Sequence, residues 1–94
     1  MSRPTRLHPR ELAAGWPDVV SVDPIGEVAR QFALNVRAAI GDRSIRAAAQ
    51  DVGVDHSTIV AVLQGRTWPD LATIARLELG FGVDLWPGRI GSVK

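Results

Sequence analysis

Few side chains in this sequence are arranged to make or break covalent bonds. No pair of carboxylates, no nucleophile beside a base and no phosphate-cradling glycine loop stands at usable spacing, so an enzyme is not expected. The chain has no cysteine, which removes disulfides, thiolate metal sites and thiol nucleophiles. Its two histidines, His8 and His56, are far apart in sequence, and neither a metal nor any other cofactor is expected. What remains is the chemistry of recognition. Ten of the eleven basic residues are arginine, whose fixed charge and planar donors suit phosphate, although genomic base composition produces the same bias. Six of them stand in three places: Arg3, Arg6 and Arg10 without an acid among them, Arg43 and Arg46 around Ser44, and Arg66 beside Thr67. The net charge is only +1, which alone names no partner.

These groups need elements to hold them. A chain of 94 residues is one domain with a modest core. Residues 1–22 carry Pro4, Pro9, Gly15 and Pro17 and read as an irregular basic arm, with one helical turn near Glu11 to Ala14 and a stretch at Val19, Val20 and Val22 that could be extended. Asp23 is a good N-cap and Pro24 fits the first helical position. From there Ile25, Val28, Phe32, Val36, Ala39 and Ile40 mark one face of a helix over 24–40, stopped by Gly41. Ser44 caps a short helix carrying Ile45, Ala48, Ala49 and Val52, interrupted by Gly53. Asp55 caps a third with Ile59, Val62 and Leu63 inward, ended by Gly65. Pro69 or Asp70 opens a fourth, with Leu71, Ile74, Leu77 and Phe81 as its buried stripe and Gly82 as its stop. Asp84, Leu85 and Trp86 form one more turn before Pro87. The expected architecture is all-α: a compact bundle of four short helices plus a C-terminal turn, divided into an arm (1–22), a domain (23–88) and a tail (89–94).

Residues 44–65, SIRAAAQDVGVDHSTIVAVLQG, fit a helix-turn-helix, two short helices crossing steeply over a tight turn. Ala49 stands where the helices come closest, and Gly53 occupies a turn position that favours positive φ. Ile59 and Val62 fix the second helix on the first, with Val52 and Val54 flanking the turn. An ordinary helical hairpin with a glycine turn is the bland alternative.

The segment resembles the lambda-repressor-like family, the Cro or XRE class of bacterial and phage regulators. The resemblance runs from about Ile25 to Trp86. It rests on the residues downstream of the motif: Gly65, Arg66, Pro69, Leu71, Ile74, Leu77 and then FGVDL. It implies that the second helix of the motif lies in the major groove of double-stranded DNA with its first turn at the base edges. His56 and Ser57 then become the leading base contacts, with Val60, Ala61 and Gln64 further along the same face. Arg43, Ser44 and Arg46 at the start of the preceding helix, and Arg66 and Thr67 after the reading helix, become phosphate contacts. Two departures stand out. Ile45 occupies a position where the family usually has glutamine, and Val60, Ala61 and Leu63 replace common polar residues. Readout should lean on apolar contact and DNA shape.

The resemblance implies a sequence-specific transcriptional regulator, a bacterial or phage repressor working in the cytoplasm on the nucleoid. No membrane segment, signal peptide or small-molecule ligand is expected. A homodimer on a two-fold site and a monomer on an asymmetric one both stay open. The second reading is a protein-interaction module or antitoxin-like adaptor that keeps the fold without strong DNA binding. Arg3, Arg6 and Arg10 either reach a minor groove or belong to a solvated terminus. Trp16, Trp68 and Trp86 are expected to close the core or its edge, with Trp68 alternatively touching the DNA backbone.

Overall fold

The computed structural model describes residues 7–89. A 3-10 helix (Pro9–Leu12) is followed by α1 (Pro24–Ile40), α2 (Ile45–Val52), α3 (His56–Leu63) and α4 (Leu71–Phe81), and the described residues hold no strand. α1 packs against the 3-10 helix and α3, while α2 packs against α3 and α4. Local chemistry sets the boundaries. Asp23 accepts from the backbone N–H of Ile25 and Gly26, Ser44 from Ala47 and Asp70 from Thr73, each satisfying amides that a helix start leaves without a partner. Gly53 ends α2 in the left-handed region at φ 72°, as its place in the turn predicts. Asp55 departs from the expected pattern. It stands at the N-cap of α3, but its carboxylate makes no capping bond.

The core is continuous. Phe32, Ala33, Val36 and Ile40 of α1 meet Ala48 and Ala49 of α2, Ile59 and Val62 of α3, Leu77 of α4, and Leu85. Two residues expected to face inward do not. Ile25 is 62% exposed and Leu71 84% exposed. The first half of α1 turns Gly26, Glu27 and Arg30 inward instead, because residues 9–21 rather than α4 cover that side. α4 is held to α2 near Gly80, where an added Cβ would lie 2.5 Å from the Cβ of Val52. Its first turn therefore reaches beyond its packing partner.

Residues 84–86 form no helical turn. The backbone N–H groups of Leu85 and Trp86 instead donate to Oε2 of Glu78 at 2.8 and 2.9 Å. These two bonds hold the Glu78 carboxyl below its ordinary range and seat the Leu85 side chain in the core. Asn35 Nδ2 donates to the Leu85 carbonyl from the α1 side. A carboxylate replaces helical hydrogen bonding here, which residue periodicity could not reveal.

Residues 7–22 lie against the body of the protein. Pro9 and Ala13 are buried, and Ser21 donates through its hydroxyl to the Leu12 carbonyl. Glu27 Oε1 accepts from the Ser21 backbone at 2.8 Å, while Arg30 NH1 donates to the Pro17 carbonyl at 2.9 Å. Glu27 and Arg30 form a two-pronged ion pair of 2.8 and 2.7 Å, and Gln31 adds a fourth donor to the carboxylate. The Arg30 hydrogen bonds, then those of Gln31 and Ser21, lower the Glu27 pKa from 4.5 to about 2 despite its burial. Val19, Val20 and Val22 are exposed in turns and coil rather than in a strand. Arg3 and Arg6 lie outside the described residues, as does most of the tail.

Candidate nucleic-acid interface

The helix-turn-helix forms where α2 and α3 cross. Ala48 and Ala49 are buried at the crossing, small enough for the helices to approach, and Ile59 and Val62 fill the space below them. With Ile59 wholly buried, α3 must turn its opposite side outward, since helical residues face one direction every three to four positions. Ser57 and Gln64 are exposed there, and His56, Val60 and Ala61 are half-buried. Val60 and Ala61 are absent from the groups packed on the core. Ile45, at the position where glutamine was expected from the resemblance, packs against the core instead. The segment from Gly41 to Leu85 thus has two crossed helices, a glycine turn between them and a supporting fourth helix.

A helix-turn-helix family model matches residues 41–85. This segment is a lambda-repressor-like helix-turn-helix of the Cro/C1 type. No curated protein and no solved structure matches the chain. The family is one of DNA-binding regulators. The match begins at residue 41, later than the expected start near Ile25, although α1 supplies four of the buried residues on which the helix-turn-helix rests.

The basic candidates of this helix-turn-helix are in different situations. Arg46 and Arg66 are exposed. Arg46 lines a shallow cleft between α2 and the start of α3 together with Gln50, Asp55 and His56. Arg66 Nε donates to Gln64 Oε1 at 2.7 Å, which sets its guanidinium beside the outward side of α3. Ser44 uses its Oγ to cap α2, and Thr67 is half-buried in the following loop. Arg43 has a different task. Its three guanidinium nitrogens donate to the carbonyls of Ile40 and Ala39 and to Asp51, and it stacks 5.4 Å above the Phe81 ring. It caps the end of α1 and ties α1, α2 and α4 together.

Tryptophans contribute in a way the sequence did not specify. Trp16 Nε1 donates to the Leu63 carbonyl at 2.9 Å, and Trp68 Nε1 donates to the Leu7 carbonyl at 2.7 Å. The first holds the N-terminal segment to the end of α3 and the second holds it to the loop before α4. Trp86 is 52% exposed and lines an apolar groove with Val28, Phe32, Trp68 and Leu71. Among the described residues, no three His, Asp or Glu side chains gather as metal ligands, and no helix is long and apolar enough to cross a membrane.

Proposed function

We propose that this protein is a sequence-specific transcriptional regulator, a repressor of bacterial or phage type, that lays α3 in the major groove. One observation carries the reading. The outward side of α3 joins Ser57 and Gln64 to half-buried His56, Val60 and Ala61, none needed by the core. In the groove, His56 donates to guanine acceptors, Ser57 and Gln64 pair with several base edges, and the methyl groups of Val60 and Ala61 pack on thymine. Arg46, Arg66, Ser44 and Thr67 supply phosphate contacts that set register without reading sequence. Arg43, occupied at the end of α1, drops out of that set.

A His56→Ala, Ser57→Ala double substitution is expected to lower affinity for the selected site by about 1–3 kcal/mol per lost base contact and to relax specificity there. Selection from random duplexes, followed by gel-shift titration, checks this. Wild-type affinity and wild-type preference in the double variant would overturn the assignment. The apolar pair Val60 and Ala61 keeps a protein-interaction module as the second reading. Failure of the wild-type protein to enrich any duplex, or to bind at low salt, would favour it.

A further inference from the structure

We infer that Arg10 and Arg66 form a two-arginine clamp for a backbone phosphate at the C-terminal end of α3, positioned by Trp16. The inference rests on the DNA-binding reading above and adds a DNA contact from outside the matched residues 41–85. The two arginines are distant in sequence but are brought together at Gly65. The Arg10 backbone N–H donates to the Gly65 carbonyl at 3.0 Å. A Cβ on Gly65 would lie 2.9 Å from the Arg10 Cβ and 2.7 Å from the Trp16 ring, so the N-terminal segment fits where only glycine leaves room. Arg66 is the next residue in the chain, and its backbone N–H closes α3 onto the Ala61 carbonyl at 2.9 Å.

The side chains have what a phosphate requires. Both are exposed, and among the described residues no carboxylate forms an ion pair with either. The adjacent acid, Glu11, accepts from the His8 backbone at 2.6 Å and caps its own turn. Gln64, on the outward side of α3, holds Arg66 Nε, so Arg66 lies at the edge of the reading surface. Arg10 is held to Gly65, the residue before Arg66. A phosphodiester at this corner meets two guanidinium groups, each able to give paired, charge-assisted hydrogen bonds. Trp16 is a positioning residue. Its ring packs on Gly65 and its Nε1 bond to Leu63 keeps the 3-10 helix beside α3.

The test uses the full chain and a duplex enriched from random pools, with dissociation constants measured across a salt series. Arg10→Ala and Arg66→Ala are each expected to flatten the slope of log affinity against log salt by about one unit, and the double variant by about two. Arg10→Lys keeps the charge and should restore the slope. Trp16→Phe removes the bond to Leu63 and should reduce the effect of Arg10→Ala measured in that background. Thermal melting of Arg10→Ala should match wild type, since its backbone hydrogen bond is kept. A duplex-binding wild type whose slope is unchanged in Arg10→Ala would overturn the clamp and leave the DNA-binding reading standing. A wild type that binds no duplex would overturn both.

Discussion

Replacing Glu27 with alanine is expected to lower the unfolding free energy by about 3 kcal/mol, the size seen when one partner of a buried ion pair is removed. The loss is large because Glu27 serves four donors at once: Arg30 through two nitrogens, Gln31 and the Ser21 backbone. Removing it leaves the Arg30 guanidinium buried without its counter-charge and breaks the bond that ties the Ser21 backbone to α1. Denaturant titration by circular dichroism measures the change, and a loss below about 0.5 kcal/mol, the size of a surface substitution, would show that the pair does not hold the segment. The pH dependence has a definite sign. A carboxyl whose pKa falls from 4.5 to about 2 on folding contributes stability that is complete above its unfolded pKa. That contribution declines as pH falls from about 5 towards 2. Asp70 and Glu78 are lowered in the same direction, so some acid sensitivity should survive in Glu27→Gln, but the curve should be flatter.

Gly80→Ala should also destabilise the protein, by about 1–2 kcal/mol, although alanine is the better helix former by about 1 kcal/mol. An added Cβ would lie 2.5 Å from the Val52 Cβ and 2.8 Å from its Cα. The second distance is to backbone, so rotation of the valine side chain cannot relieve it. α2 and α4 must separate, and α2 is half of the helix-turn-helix. Overpacking of this kind typically costs about 1–3 kcal/mol, enough to outweigh the gain in propensity. Thermal melting checks the sign. A more stable Gly80→Ala would mean that α2 and α4 can move apart at little cost.

Helices α1, α2 and α4 were legible because each is bounded by residues of known local effect. Asp23 and Pro24 open α1, Ser44 and Gly53 bound α2, and Asp70 and Gly82 bound α4. The outward side of α3 was legible for a related reason, since fixing Ile59 and Val62 inward leaves Ser57 and Gln64 outward. Periodicity failed where polar groups replace apolar contact. It read Ile25 as buried, but a helix can bury Glu27 and Arg30 when each satisfies the other, and no hydrophobic pattern marks that. It read a turn at residues 84–86, where the backbone bonds instead to Glu78. Arg43 carries nothing in its type or position to separate a phosphate ligand from a cap on the helix before it. Three-dimensional closure was hidden as well: Trp16 and Leu63, or Leu7 and Trp68, are joined only after the chain has folded back.

That closure bears on the thermodynamics of binding. The last carbonyls of an isolated helix lack partners and its final turn frays, so an eight-residue α3, if it enters a groove as proposed above, would need ordering each time. In this protein the Leu63 and Gly65 carbonyls are already bonded to Trp16 and Arg10. The conformational entropy of the final turn is lost on folding rather than on association, which raises affinity without adding a contact. The heat-capacity change on binding should then match the surface buried against DNA alone, and not the greater change that accompanies coupled folding.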